Sequence, residues 1–121
     1  DFVELAALRD EPAKNLPYGH QRALGLAISL ATEPDLLMLD EPVAGMNPEE
    51  SAHMARLIRR VNEASTTIVV VEHDMSFVMQ LCRRIVVMNH GRKIAEGPPA
   101  DIRINPEVVA AYLGVDEDEH A

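Results

Sequence analysis

The chain has 121 residues and a mass of 13.4 kDa, with 47% apolar and 26% charged residues; this fits one globular core, or part of one, and excludes collagen-like, low-complexity and mostly disordered chains. Its formal net charge is −9, partly from the acids of Asp116 to Glu119, which excludes binding nucleic acid or an anionic membrane surface by bulk charge, and aromatic content of 3% excludes a base-stacking platform. The single Cys82 cannot close an internal disulfide, no basic-then-apolar leader is present, and the longest nearly apolar stretch, Ala23 to Ala31, is about half of the roughly 20 residues needed to span a bilayer, so a cytosolic chain is expected.

Phe2, Leu5, Ala6 and Leu8 fall at near-helical spacing before Asp10, Glu11 and Pro12, which predicts the last turns of a helix. A helix is expected from about His20 to Thr32, with Leu24, Ala27, Ile28 and Ala31 on one face and Pro34-Asp35 as its stop. Leu36 to Leu39 is continuously apolar, the pattern of a strand covered on both faces of a parallel sheet. Asn47 is a good N-cap, Pro48 a good first helical residue, and Glu49 and Glu50 suit the positive helix start. The helix that follows, to about Ala64, packs Met54, Leu57, Ile58 and Val61 and turns Arg56, Arg59 and Arg60 to water.

The β-branched run Thr66 to Val71 predicts a second buried strand, ended by Glu72-His73-Asp74 and followed by a short helix from Met75 to about Cys82. Ile85 to Met88 and Arg92 to Glu96 form a hairpin about Asn89-His90-Gly91. Gly97-Pro98-Pro99 breaks it, a short helix covers about Ala100 to Arg103, and Pro106 opens a last helix through Tyr112 that stops at Gly114; disorder is expected beyond Asp116. Cys82, beside Phe77, Val78 and Leu81, reads as core, as do Met38, Met54, Met75, Met79 and Met88, an exposed Met touching a partner being the alternative. No internal repeat is present, and the strand–helix alternation is that of an α/β fold with a parallel layer.

Two strands thus end in acidic or imidazole side chains, Asp40-Glu41 and Glu72-His73, and open α/β sheets bind ligands at the carboxyl ends of their strands. Asp then Glu at such an end suits one carboxylate near a Mg²⁺ and another that orients or deprotonates a water; a solvated acidic turn before Pro42 is the plain alternative. His73 taken alone is an ordinary structural residue. Glu72-His73-Asp74 has no further His or Cys at ligand spacing that would make it a metal site.

Several ordered motifs resemble those of the nucleotide-binding subunits of ABC transporters. Leu16-Pro17-Tyr18-Gly19-His20-Gln21-Arg22 is similar to the signature sequence, and Leu36-Leu37-Met38-Leu39-Asp40-Glu41-Pro42 to the Walker B motif with its catalytic Glu. Ala44-Gly45-Met46-Asn47 lies where the D-loop belongs, and His73 matches the switch His. Asn89-His90-Gly91, Gly97-Pro98-Pro99, Asn105-Pro106-Glu107 and Ala111-Tyr112-Leu113-Gly114 are similar to the ends of branched-chain amino-acid importer ATPases. The resemblance implies that Asp40 supports the Mg²⁺ of ATP through water, that Glu41 is the general base, and that His73 contacts the γ-phosphate. Gly19, with Tyr18, His20 and Gln21, would present a helix N-terminus to the nucleotide of a partner subunit, and Asn47 would lie along that dimer interface.

The sequence departs from the family pattern at Pro17, which replaces the signature Ser, at His20, which replaces Gln, and at Asn47, which replaces the D-loop Asp. It has no Gly-x-x-x-x-Gly-Lys-Ser/Thr, its only lysines being Lys14 and Lys93, and no Q-loop before the signature. The resemblance therefore implies a partial P-loop NTPase core of α/β class, mostly a parallel sheet with flanking helices and without the P-loop strand. Within it, residues 1–33 would end the helical subdomain and carry the signature helix, 34–97 would hold the Walker B, D-loop and switch-His core, and 98–114 the C-terminal helices, leaving 115–121 as an acidic tail. The P-loop strand would lie beside Thr66 to Val71, so an open apolar edge and self-association of the isolated chain are expected.

The implied function is the ATPase subunit of an importer of branched-chain amino acids or similar solutes. It would work as a dimer with transmembrane permease subunits on the cytoplasmic face, the isolated chain being inactive. The alternatives are an ABC ATPase outside transport, which would show a long coiled-coil insertion or tandem domains, and an interaction module that binds no ATP.

Overall fold

A computed structural model of the chain describes residues 2–113. Two compact units, Asp1–Phe77 and Val78–Ala121, each gather their own apolar side chains. In the first, the predicted N-terminal helix is replaced by two single 3₁₀ turns, Ala6–Leu8 and Ala13–Asn15. Glu4 has a left-handed backbone, φ 61°, which a right-handed helix cannot pass through. Its carboxylate instead meets His53 Nε2 at 3.6 Å and Arg60 Nη1 at 3.5 Å, and the Arg60 guanidinium stands 5.4 Å over the Phe2 ring. Arg60, expected to face water alone, thus anchors the segment that buries Val3.

Helix α1 (Tyr18–Leu30) follows an extended Pro17. It buries Ala23 and Leu26 rather than the predicted Leu24, Ala27, Ile28 and Ala31 face, and Ile28 is exposed. A segment that is apolar nearly all round does not mark its own covered side. Strand β1 (Leu36–Asp40), helix α2 (Pro48–Glu63) and strand β2 (Thr67–Val71) form one crossover unit. The strands pair in parallel, Leu36 beside Thr67 through Asp40 beside Val71. The ladder continues at both ends, from Thr67 N–H to the Asp35 carbonyl at 2.9 Å and from Glu41 N–H to the Val71 carbonyl at 2.8 Å.

Helix α2 starts as its residues dictate. The Asn47 side chain accepts the Glu50 N–H at 2.8 Å while the Glu50 carboxylate accepts the Asn47 N–H at 3.0 Å, closing a capping box with Pro48 in the first turn. Met54, Leu57, Ile58 and Val61 are buried as the periodicity predicts, and α2 packs on α1 and β2.

The strands correct one expectation. Leu37 is buried, but Met38 is 67% exposed and Leu36, Val69 and Val71 are also exposed. One face of the β1–β2 pair is therefore covered within the chain and the other is open, and among the described residues the sheet has only these two strands. The apolar run correctly signals strands suited to two covers, of which this chain supplies one.

Helix α3 (Met75–Leu81) spans the junction of the two units, with Asp74 Oδ1 accepting the Phe77 N–H at 3.0 Å at its start. In the second unit β3 (Ile85–Asn89) and β4 (Arg92–Gly97) form an antiparallel hairpin with a register shift between Val87 and Met88. His90 at φ 49° and Gly91 at φ 75° are both left-handed, which makes the two-residue turn type I′ and matches the strands' twist. Lys93 and Arg84 both hydrogen-bond Glu96 and hold its carboxyl down at about 2. Ile85 and Val87 are buried, as are Ile102 of α4 (Pro99–Ile104) and Val108 of α5 (Pro106–Val108).

Asn105 Oδ1 caps α5 by accepting the Glu107 and Val108 N–H groups. The chain then runs on as a π turn, Val109–Leu113, where the Tyr112 hydroxyl donates to the Met88 carbonyl. The expected stop at Gly114 and the acidic tail lie outside the described residues. Of the sulfur residues expected in the core, Met54 is buried, Met75, Met79 and Cys82 are half-buried, and Met38 and Met88 are exposed. Burial raises the Cys82 thiol pKa.

The α/β expectation holds. Among the described residues the sheet content is one parallel pair and one antiparallel hairpin rather than a mostly parallel layer.

Candidate functional site

Parallel pairing of β1 with β2 sets their carboxyl ends side by side, so Asp40-Glu41 and Glu72-His73 meet although they are far apart in sequence. Glu41 Oε1 lies 3.4 Å from His73 Nε2, and both side chains reach solvent. This is an ion pair whenever the imidazole is protonated, and a water or phosphate oxygen has access to both groups. Glu41 carries a left-handed backbone, φ 48°. Such a conformation in a residue other than Gly costs on the order of 1–3 kcal/mol and persists only where the surroundings impose it.

Those surroundings are explicit. The Glu41 N–H is tied to Val71 at the end of β2, and its carbonyl accepts Arg22 Nη2 at 2.7 Å and the Ala44 N–H at 3.2 Å. Arg22 comes from α1, so the helix with the signature-like start also fixes the backbone of the candidate base. Asp40 follows the alternation of β1 onto the open face, beside Val71. Among the described residues no protein group pairs with its carboxylate. A free, hard oxygen donor at this point fits a Mg²⁺ that keeps several of its waters.

The signature-like residues occupy the first turn of α1. The Tyr18 hydroxyl donates to the Ala44 carbonyl at 2.7 Å, and its ring lies 3.6 Å from where a Cβ on Gly45 would stand. Gly45 itself is left-handed, φ 76°, so a side chain there would be strained by its backbone, while its Cβ would meet the ring only at ordinary contact distance. Gly19 sits beside Glu50, whose Cγ is 3.6 Å from the Cβ position of Gly19. Gln21 donates to the Leu16 carbonyl at 2.9 Å, and His20 Nδ1 is buried without a hydrogen-bond partner. Asn47 is engaged in the cap of α2 through its side-chain oxygen. Tyr18, Gly19, Asn47, Glu41 and His73 therefore lie on linked segments, with the capping role of Asn47 the best defined of them.

The roles of two contributors, Arg22 and Glu72, were not evident from the sequence. Arg22 was visible only as the last residue of the signature-like run. Glu72 accepts the Val43 N–H through Oε1 at 3.2 Å and the His73 and Asp74 N–H groups through Oε2 at 3.1 and 3.3 Å. An acid at the end of a β-branched run was the available signal for it.

Comparison with known proteins agrees with this architecture. The family described as branched-chain amino acid ATP-binding cassette transporter matches residues 92–118. The high-affinity branched-chain amino acid transport ATP-binding protein LivG of Escherichia coli is 50% identical over 103 residues, covering 84% of this chain and 40% of its own length. The corresponding protein BraF of Pseudomonas aeruginosa is 44% identical over 113 residues, 93% of this chain and 44% of its own length.

Among solved structures, an ATP-binding cassette of an ABC transporter in its ADP conformation superposes with a TM-score of 0.86 at 27% identity, over 93% of this chain and 46% of that one. The cbiO1 protein of Clostridium perfringens, part of an ABC transporter complex, does so with a TM-score of 0.81 at 30% identity, over 90% and 44%. Sequence and fold point to one class: over most of its length the chain is similar to ATP-binding cassettes of the ABC transporter type. Within that class it is similar to the branched-chain amino-acid ATP-binding proteins, and it spans about two fifths of the length of the curated relatives it matches.

Proposed function

We propose that the chain is the Walker B, signature and switch-His portion of an ABC importer ATPase for branched-chain amino acids, the active protein being a longer chain. The observation that carries this is the Glu41–His73 pair, held 3.4 Å apart across two neighbouring strand ends in a cassette of this type. In this reading Glu41 takes the proton of the attacking water and His73 holds the γ-phosphate and that water, while Asp40 supports Mg²⁺ through water. When bound, the metal would supply charge neutralisation at the phosphates. Tyr18, Gly19, His20 and Gln21 would face the nucleotide of a second subunit, with Asn47 and its loop along the interface. The whole protein would be a dimer docked on transmembrane permease subunits at the cytoplasmic face of the membrane; among the described residues no helix is long and apolar enough to cross it.

Titration calorimetry tests the division of labour. Phosphate binding in P-loop proteins rests on a Gly-rich loop and its Lys, which this sequence lacks. The 121-residue chain is expected to show no Mg·ATP binding, and the full-length protein that carries it micromolar binding with hydrolysis. Micromolar binding by the short chain would refute the assignment of the phosphates to a P-loop elsewhere.

The open face of β1 and β2 leads to a second expected result. Leu36, Met38, Val69 and Val71 form an uncovered apolar patch next to unpaired strand edges, and such edges pair with further strands. The occupant in the isolated chain is a second copy of itself. Light scattering at micromolar concentration should give a mass above 13.4 kDa, and Met38→Lys should return it toward the monomer. A monomer before substitution would sink this expectation.

A further inference from the structure

Glu72 is the residue that the proposed chemistry does not use and the geometry does not spare. It immediately precedes His73, yet one of its oxygens reaches across to the Val43 N–H, in the loop that leaves Glu41, at 3.2 Å. The other holds the N–H groups of His73 and Asp74 at 3.1 and 3.3 Å. A carboxylate accepts only, and two oxygens give it room for three N–H donors at once. The result is a closed circuit. From Glu41 the main chain runs to Val43, through a hydrogen bond into Glu72, along the main chain to His73, and back from Nε2 to Glu41 Oε1.

We propose that Glu72 is a positioning residue for the Glu41–His73 pair, tying the loop after β1 to the loop after β2 so that base and imidazole face one site. This rests on the reading of Glu41 and His73 above. Nothing else among the hydrogen bonds of these two loops joins Val43 directly to the segment 72–74. Its main effect is therefore on turnover, because a misplacement of about 1 Å between reacting groups costs on the order of 100-fold in rate, while nucleotide affinity draws mainly on the Gly-rich loop and Lys of the longer chain and only in small part on His73.

The test uses the full-length protein carrying this chain, in four forms besides wild type: Glu41→Gln, Glu72→Gln, His73→Ala, and Glu72→Gln combined with His73→Ala. Glu72→Gln keeps one accepting oxygen and turns an amide toward the remaining N–H donors, so it is expected to lower kcat on the order of 10-fold with KM for Mg·ATP within about twofold. If Glu72 acts through His73, the double variant turns over at the rate of His73→Ala alone. Additive losses in the double variant, a changed KM with unchanged kcat, or wild-type kcat in folded Glu72→Gln each overturn the proposal. Retained hydrolysis in Glu41→Gln is a different failure, that of the site itself, and is read independently of Glu72. Circular dichroism establishes that each variant is folded, and Glu72→Asp, which keeps the charge on a shorter arm, serves in place of Glu72→Gln if that one is not.

Discussion

Glu41→Gln in the full-length protein that carries this chain should leave Mg·ATP bound and cut hydrolysis by about 100- to 10,000-fold, the range that a positioned general base contributes. The change is nearly isosteric, so the left-handed backbone at φ 48° and its ties to Val71, Ala44 and Arg22 should persist. What disappears is the capacity to take a proton. Pre-steady-state phosphate release separates the two effects, since binding of labelled ATP stays near wild type while the chemical step collapses. His73→Ala should fall in the same direction but less far, because it removes a holding group rather than the proton acceptor. Turnover that survives Glu41→Gln would end the assignment of Glu41 as base.

The largest effect on stability is expected at Leu57. It is 1% exposed on the face of α2 that packs on α1 and β2. Leu57→Ala should lower unfolding free energy by about 3 kcal/mol, within the roughly 2–5 kcal/mol seen when a buried Leu is truncated and its cavity persists. Ile104→Ala is the matched control, since Ile104 is 76% exposed and a surface substitution of this kind shifts stability by less than about 0.5 kcal/mol. Urea unfolding followed by circular dichroism reads both. Equal midpoints for the two variants would mean that α2 does not organise the core of the first unit.

How much of this could be read beforehand depended on whether the deciding interaction was local. Asn47-Pro48-Glu49-Glu50 announces a helix start because every partner in the cap lies within four residues; the Asn47 cap formed as expected, and Glu50 closes it into a box. Asn89-His90-Gly91 announces a tight hairpin turn for the same reason, the type I′ geometry being added by the two left-handed residues. The spacing of Phe2 to Leu8 pointed to a helix that the left-handed Glu4 and its ties to His53 and Arg60 exclude, and those ties come from far along the chain. The exposed side of β1 was likewise silent, since an apolar run records what a strand is suited to touch and not which segment supplies the cover.

At the site, Asp40, Glu41 and His73 stood out because acids and imidazole at strand ends are chemically conspicuous. Their convergence needed the parallel register. Glu72 was equally conspicuous as a strand-end acid, but its role was not legible, because that role lies in three backbone N–H groups, which leave no mark in the residue types around it. Arg22 was hidden because its acceptor is the main chain of Glu41.

The two kinds of strand pairing also set different clocks for folding. The hairpin of β3 and β4 is joined by two residues, and contacts of that range close in about 1–10 μs. The parallel pair cannot form until the whole of α2 has been traversed and laid across it, and non-local closure of this kind is the slow step in sheet proteins. During refolding the second unit should therefore gain its strand signal first, while β1 and β2 remain unpaired and exposed to intermolecular capture. Refolding yield, more than the stability of the finished fold, will then depend on protein concentration.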